Sequence, residues 1–226
     1  IPLIDQERQH LLDMYRNRAL LSVDEGLFCP TWNFRDCDRY RGLSDGERWA
    51  FEELVAKRAK ESEELWQKNG EKLLRFMIET VPMLTCAEDL GAVPDCVPVT
   101  LQSLGILSLK IPRWARAWNQ NGQPYIKVED YPFLSVCAPS VHDTSTLREW
   151  WEREQDKWGF WTGMQFPGKC PDGYDAATAR TVVSRLLKAG SALCLFQIQD
   201  LFAIEDKYRV ADATEERINI PGTVQP

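Results

Sequence analysis

The chain of 226 residues is long enough for one large domain or two small ones, and its hydrophobic fraction of 44% and charged fraction of 27% are typical of a globular protein. The net charge of −7 argues against nucleic acid or an anionic membrane as the main partner, because both favour a basic surface. No apolar run approaches the roughly 18 residues of a membrane span.

The seven cysteines are odd in number, irregularly spaced and without a CxxC pair. Zinc sites usually contain closely spaced cysteines, so the sequence predicts no metal site. Cys86, Cys137 and Cys194 lie inside apolar runs, where a free thiol behaves as a small core residue. This use of cysteine fits a reducing, cytoplasmic location.

Residues 1–80 are predicted to form a mainly helical subdomain. Residues 5–20 have apolar positions at helical spacing. Residues 21–43 contain Gly, Pro, Asn and Asp at short intervals, which favours short strands and loops.

A long helix is predicted to follow. Ser44 and Glu47 form a capping-box pattern at its start. We expect Gly70 to end this helix and a second helix to cover about 71–80.

Residues 81–226 differ in character, because short apolar runs now alternate with segments of helical pattern. The runs are PMLTCAEDLG, ILSLKIPRW, FLSVCAPS and SALCLFQIQDLFAI. This alternation is typical of parallel strands covered by helices, and a continuous apolar run fits a strand buried on both faces. The predicted fold class is therefore α/β.

Three helical segments separate these runs. The first covers about 94–105, the second about 145–157 and the third about 175–189. In the third, Asp175 is the expected N-cap and Gly190 the expected C′ residue.

Polar or aromatic side chains follow or interrupt each apolar run. They are Glu88 and Asp89, Arg113 and Trp114, His142 and Asp143, and Gln199 and Asp200. In a (β/α)8 barrel the reacting groups lie at the carboxyl ends of different strands. Strand ends are generally more polar than strand centres, so this pattern alone has low specificity.

The acidic pairs also have structural interpretations. Glu88 and Asp89 would complement the dipole of the helix that follows them. Asp143 would cap the helix that follows it, which leaves the preceding His142 unexplained.

Two carboxylates at the ends of different strands can share one cleft, where they support acid–base cleavage of a sugar acetal. The nine tryptophans are compatible with stacking on sugar rings as well as with packing in a core. For Trp150 and Trp151, on the helix over 145–157, we expect packing.

Several motifs, in order along the chain, resemble the C-terminal half of the amylomaltase family, the 4-alpha-glucanotransferases of the alpha-amylase superfamily. They are LWQKNGEKLLRFM, TCAEDLGAVPDCV, SVCAPSVHDTSTLREWWE and FQIQDLFAIEDKYR followed by ERINIPGTVQ. The resemblance covers about residues 25–226, and the plant-type cytosolic disproportionating enzymes are the most similar variety. Several ordered motifs agree, so the resemblance is more specific than any one of them.

The resemblance implies a retaining double displacement on alpha-1,4-glucans. Glu88 of AEDLG matches the general acid/base, and Asp143 matches the carboxylate that stabilises the transition state. His142 matches a substrate-binding position, as Asp89 and Trp114 do more weakly. The expected partners are maltooligosaccharides and other alpha-1,4-glucans. No cofactor is implied, because acetal exchange needs no redox carrier.

One part of the family pattern has no counterpart in this sequence. The nucleophile of the family is an Asp in an Arg-x-Asp-His type motif on the strand before the acid/base strand. The chain also supplies only about four of the eight strands that a barrel needs to close. We therefore expect residues 81–226 to form the C-terminal half of a (β/α)8 TIM barrel. The N-terminal remainder of a longer polypeptide would supply the nucleophile, and this chain alone would be inactive.

Two other functions remain open. A related alpha-glucan hydrolase would use the same residues and differ in water exclusion and acceptor binding. A non-catalytic alpha-glucan-binding module would use the Trp-rich surface and keep binding glucan without Glu88 and Asp143.

Overall fold

The computed structural model describes residues 5–153 and 156–223. The chain divides into two compact units, Ile1–Lys68 and Asn69–Pro226. The division falls inside a long helix, ahead of the boundary that the sequence predicts between residues 80 and 81. Among the helices of the described residues, none has the length and apolar character needed to cross a membrane.

The first unit combines helices with one β-hairpin. Its elements are α1 (Asp5–Arg16), β1 (Leu20–Asp24), β2 (Leu27–Pro30), a 3-10 turn (Phe34–Asp36), α2 (Asp38–Arg41) and the first part of α3 (Asp45–Thr80). Strands β1 and β2 pair antiparallel. The helix predicted over 5–20 is shorter than expected, because Leu20 already pairs with Pro30 in the hairpin.

Helix α3 begins with the predicted capping box. The backbone N–H and the hydroxyl of Ser44 donate to Oε2 of Glu47 at 2.8 and 2.6 Å, which confirms the prediction. The predicted break at Gly70 is wrong, because α3 continues through this residue. One glycine costs a helix only about 1 kcal/mol relative to alanine, and the strong helix formers on both sides outweigh that cost.

Aromatic rings form the core of the first unit. The ring centroids of Phe34 and Tyr40 are 5.2 Å apart, and those of Phe34 and Phe51 are 5.4 Å apart, both in edge-to-face geometry. The hydroxyl of Tyr40 donates to Glu52 of α3. These contacts join the segment before α3 to the first turns of that helix.

The second unit combines a small sheet with short helices. Its elements are the last part of α3, α4 (Cys96–Ser103), β3 (Ser108–Lys110), a 3-10 turn (Val128–Asp130), β4 (Ser135–Cys137), α5 (Leu147–Arg153), α6 (Lys157–Gly163), α7 (Ala176–Leu186), β5 (Leu193–Cys194), α8 (Ile198–Phe202) and 3-10 turns at Asp206–Tyr208 and Ala213–Glu216. The predicted mixed α/β class is confirmed.

Two predicted elements of this unit need correction. The second half of the fourth apolar run is helix α8 rather than strand. The helix predicted over 145–157 corresponds to α5, residues 154 and 155 lie outside the described residues, and a further helix, α6, begins at Lys157.

The strands of the second unit are parallel, as predicted. β3, β4 and β5 lie side by side in that order. A parallel bridge between Cys86 and Leu107 adds the first apolar run on the other side of β3. Leu107 N–H donates to Thr85 O at 3.0 Å, and Ala87 N–H donates to Leu107 O at 2.8 Å. All four runs therefore contribute parallel segments, and their carboxyl ends lie at one edge of the sheet.

The three cysteines that were predicted to be core residues differ in burial. Cys137 is buried, Cys194 is partly buried and Cys86 is exposed. The prediction is wrong for Cys86 because this residue lies in the outermost segment of the sheet, as far as the described residues show.

A cluster of aromatic side chains forms the core of the second unit. Trp150 and Trp151 of α5 are 4% and 0% exposed, so the prediction that they pack inside is confirmed. The ring of Trp151 lies 5.9 Å from that of Trp161 and 5.5 Å from that of Tyr174. Its Nε1 donates to Pro171 O at 3.2 Å, so the polar atom of this buried indole is satisfied.

The two ends of α7 show one correct and one wrong prediction. Oδ1 of Asp175 accepts the N–H of Thr178 at 2.7 Å, which confirms the N-cap. Gly190 is not the C′ residue, because the helix ends at Leu186 and Leu187 is its C-cap. The N–H of Gly190 instead donates to a backbone oxygen in the 3-10 turn Val128–Asp130 at 2.9 Å.

We predict that Gly190→Ala destabilises the protein by about 1–3 kcal/mol. A Cβ at this position would lie 2.5 Å from Tyr131 O and 2.8 Å from Glu129 O, and both are backbone atoms. Urea unfolding of the variant measures the loss. The matched control is Gly173→Ala, whose Cβ meets nothing within 4 Å. Equal stability of the two variants would contradict the close backbone approach.

Candidate active site

The predicted site residues follow the parallel segments at their common edge. Glu88 comes two residues after the bridged Cys86, Trp114 follows β3, and His142 and Asp143 lie in the loop between β4 and α5. Neighbouring strands are about 4.8 Å apart, so the first segment and β4 are separated by roughly 10 Å. The segments that lead to Glu88 and Asp143 therefore end at the same edge of the sheet, with β3 between them.

Glu88 is exposed, whereas the carboxylate of its neighbour Asp89 is almost fully buried. Oδ1 of Asp89 accepts the N–H of Leu109 in β3 at 2.7 Å, and Oδ2 lies 3.6 Å from Nζ of Lys110. Asp89 thus attaches the segment that carries Glu88 to the neighbouring strand. This contact, rather than the dipole of α4, accounts for Asp89. Sugar binding by Asp89 stays a prediction.

His142 and Asp143 form an exposed pair at the tip of a turn. Nε2 of His142 lies 3.1 Å from Oδ2 of Asp143, and the two side chains are 67% and 49% exposed. The turn is closed by the N–H of Thr144, which donates to Val141 O at 3.0 Å. Nδ2 of Asn219 donates to Oδ1 of Asp143 at 2.7 Å. Both carboxylate oxygens of Asp143 therefore have a nitrogen neighbour, and the group stays open to solvent.

Other residues cap helix α5, so the interpretation of Asp143 as a helix cap is wrong. The N–H of Leu147 donates to Oδ1 of Asp200 at 2.9 Å. The N–H of Glu149 donates to the hydroxyl of Thr146 at 3.2 Å. Asp143 therefore does not cap α5, and capping does not explain its position at the tip of the turn.

Trp114 stands beside a cavity of about 300 Å³. The side chain is 45% exposed, and Trp118, also in the cavity wall, is 60% exposed. Polar groups complete the wall: Nη2 of Arg116 donates to the hydroxyl of Tyr125 at 2.6 Å, and that hydroxyl donates to Asp156 at 2.9 Å. Burial, followed by the bond to Asp156, raises the pKa of Tyr125. Exposed indoles next to polar groups suit the apolar faces and hydroxyls of sugars.

Three residues at this edge were not assigned roles from the sequence. Asn219 contacts Asp143 across 76 positions of the chain, so no local spacing indicates it. Trp118 lies in a loop without a distinctive motif. Asp200 belongs to a polar pair noted in the sequence, but its partners are visible only in the fold. Within the described residues, no group of three or more His, Cys, Asp or Glu is arranged to hold a metal ion.

Comparison with known proteins identifies the class to which this chain belongs. The model of glycoside hydrolase family 77 matches residues 28–226. The chain therefore belongs to this family, which is described as 4-alpha-glucanotransferase, and the resemblance seen in the motifs is confirmed.

Curated relatives carry the same description. The 4-alpha-glucanotransferase DPE2 of Oryza sativa subsp. japonica is 33% identical over 227 residues, which cover 96% of this chain and 23% of the rice protein. The 4-alpha-glucanotransferase of Chlamydia pneumoniae is 31% identical over 163 residues, covering 70% of this chain and 30% of the relative. The 4-alpha-glucanotransferase of Chlamydia caviae is 34% identical over 158 residues, which cover 69% of this chain and 29% of the relative. The chain thus spans less than a third of the length of these relatives.

Two amylomaltase structures also resemble the chain. The amylomaltase of Streptococcus agalactiae in complex with acarbose aligns with a TM-score of 0.48 and 21% identity, covering 66% of this chain and 28% of that one. The amylomaltase of Corynebacterium glutamicum aligns with a TM-score of 0.41 and 17% identity, and the alignment covers 51% of this chain and 21% of that one.

We predict that Asp89→Ala lowers the free energy of unfolding by about 1–3 kcal/mol, because the N–H of Leu109 loses its acceptor. Asp89→Asn should cost less, since an amide oxygen still accepts this bond. Urea unfolding separates the two variants, with the exposed Asp130→Ala as control. A raised KM at unchanged stability would instead assign Asp89 to substrate binding.

Proposed function

We propose that the full-length protein containing this chain is a 4-alpha-glucanotransferase that moves glucosyl units or alpha-1,4-glucan segments between maltooligosaccharides. The observation that carries the proposal is the family match over residues 28–226, which includes both AEDLG and the His-Asp pair. The parallel sheet supports it, because Glu88 and Asp143 follow segments that end at the same edge. Maltooligosaccharides and other alpha-1,4-glucans are the proposed partners.

In this reaction Glu88 acts as the general acid/base. Its proton passes to the glycosidic oxygen as the bond from that oxygen to C1 breaks, and a carboxylate nucleophile forms an ester with C1. In the second half, Glu88 takes the proton of an acceptor hydroxyl. The acceptor oxygen then bonds to C1 and releases the nucleophile. Glu88 is exposed, which gives a glucan access to it.

Asp143 stabilises the positive charge that develops on the sugar ring. The contacts to His142 and Asn219 hold the carboxylate at the tip of its turn while it stays half exposed. His142 and Trp114 are the proposed substrate contacts, and their exposed surfaces support this role. Asp89 is the weakest member of the proposed set, because its carboxylate already binds Leu109.

We infer that the nucleophile lies outside residues 1–226, since no Arg-x-Asp-His type motif occurs among them. The chain spans 23% of its rice relative, which leaves ample sequence in such a protein for this residue. Residues 1–226 alone should therefore show no glucan transfer.

The second unit is proposed to be the C-terminal half of a (β/α)8 barrel. Strands that are consecutive in the chain are parallel neighbours in the sheet, as in a barrel. Helices lie between the Cys86 segment and β3 and between β4 and β5, whereas the connection from β3 to β4 contains a 3-10 turn. The outer edges of such a half-barrel would pair with strands from the rest of the polypeptide. A cytoplasmic location is also proposed, and the seven free thiols support it.

We predict that Glu88→Gln and Asp143→Asn each lower the turnover of maltotriose by about 10²–10⁴-fold, because each removes a group that acts in the transition state. Glucose release by the full-length protein is the measurement. The matched control is Glu205→Gln, which alters an exposed acid paired with Arg180 at 3.2 Å and should leave turnover unchanged. Near-normal turnover of either site variant would contradict the assignment.

Product analysis in the same assay separates the possible activities. Transfer gives oligosaccharides longer than the donor, whereas hydrolysis gives only shorter ones. A wild-type protein without turnover, whose affinity for glucan survives both substitutions, would be a binding module instead.

A further inference from the structure

A buried carboxylate joins both ends of the loop that carries Asp143. Asp200 lies in α8, after β5, and is 1% exposed. Its Oδ1 accepts the N–H of Leu147, the first residue of α5, at 2.9 Å. Its Oδ2 accepts the hydroxyl of Ser140, which follows β4 and is 3% exposed. One side chain thus binds the loop Ser140–Leu147 at its first and last residues.

A buried guanidinium holds the same loop from the other side. Arg113 follows β3 and is 4% exposed. Its Nη1 and Nη2 donate to the hydroxyl and the backbone oxygen of Ser145, both at 2.8 Å. The loop after β4 is therefore attached to residues that follow each of its two neighbouring strands.

Burial and hydrogen bonding act in opposite directions on the Asp200 carboxyl group. Burial raises its pKa, and Glu216 adds to the rise, whereas the bonds from Ser140 and Leu147 and the positive charge of Arg113 act against it. Burying a carboxylate costs free energy unless its oxygens accept hydrogen bonds, and here each oxygen accepts one from the loop. Its position relative to the loop is therefore closely defined.

Only the tip of the loop is exposed. His142 and Asp143 have side chains that are 67% and 49% exposed, whereas Ser140 at the start of the loop and Thr146 near its end are buried. A helix cap alone would need one oxygen of Asp200, the one that binds Leu147. The second oxygen, bound to Ser140, adds a link between the end of β4 and the start of α5.

We propose that Asp200 is a positioning residue for the transferase reaction, which holds the His142–Asp143 pair at the carboxyl edge of the sheet through Ser140 and Leu147. The proposal rests on the proposed function, because the position of the loop affects turnover only if Asp143 takes part in catalysis.

The first test is Asp200→Asn in the full-length protein. The amide keeps the shape of the side chain but removes its negative charge and replaces one acceptor oxygen with an NH2 group that can only donate. The bond to Leu147 then loses its charge assistance, and the Ser140 hydroxyl has to turn from donor to acceptor to keep its contact. We expect kcat with maltotriose to fall by about 10–100-fold, since small displacements of reacting groups have effects of this size. KM should change less than kcat. The matched control is Asp206→Asn, which alters a side chain that is 76% exposed and should keep kcat.

A double-variant cycle separates positioning from a general structural effect. If Asp200 acts through Asp143, then adding Asp200→Asn to an Asp143→Asn protein should reduce kcat by less than about 3-fold further. If Asp200 only supports folding, the two losses should multiply. A multiplied loss, or a kcat of Asp200→Asn equal to that of the wild type, overturns the proposal.

Hydrogen exchange tests the loop without reference to activity. Backbone amides of residues 141–147 should exchange faster in Asp200→Asn than in the wild type, and Asp206→Asn should leave them unchanged. Unchanged exchange in Asp200→Asn would refute the proposal that Asp200 holds the loop, whatever reaction the protein catalyses. Retained transfer in Glu88→Gln or Asp143→Asn refutes the proposed function instead, so the two failures are distinguishable.

Ser140→Ala provides a milder variant in case Asp200→Asn does not fold. It removes only the hydroxyl that Asp200 accepts and should lower kcat and speed exchange of the loop in the same direction. Unchanged kcat and unchanged loop exchange in Ser140→Ala would count against the role of Asp200 in holding the loop.

Discussion

Parallel pairing between the Cys86 segment, β3, β4 and β5 determines which side chains of the second unit can meet. Parallel strands end at one edge, so residues far apart in the chain become neighbours there. The paired stretches are short, at most three residues in β3 and β4. Hydrogen bonds from loop side chains extend this order beyond the strands, and those bonds define the candidate active site.

The loops at this edge are held by polar groups from neighbouring strands rather than by their own turns alone. Asp89 binds the backbone of β3, and Arg113 binds Ser145 in the loop after β4. Asp200 reaches the same loop from the β5 side. Buried polar groups of this kind stabilise one arrangement, because moving the loop would leave several of them unsatisfied at once. The loops that carry the exposed acids Glu88 and Asp143 are thus held by buried polar side chains.

Membership of the 4-alpha-glucanotransferase family gives these acids a chemical context, since residues 28–226 match the family model as a whole. The chain spans 23% of the length of its rice relative. A double displacement needs a nucleophile as well as an acid/base, and a barrel needs eight strands. In the function proposed above, both requirements are met by the rest of the polypeptide, and this chain contributes the acid/base and the stabilising carboxylate.

The sequence by itself determined the local features and the family. The capping box at Ser44, the N-cap Asp175 and the parallel α/β pattern depend on residues close together in the chain, and the motifs around Glu88 and Asp143 are contiguous. Gly190 was misread because a glycine near a helix end has the same local signature whether it ends the helix or permits a close backbone approach. Only the tertiary structure decided the contacts of Asp89, Asn219 and Asp200, because their partners are 20 to 76 residues away. Such contacts depend on where the strands place the loops, and no local spacing encodes that placement.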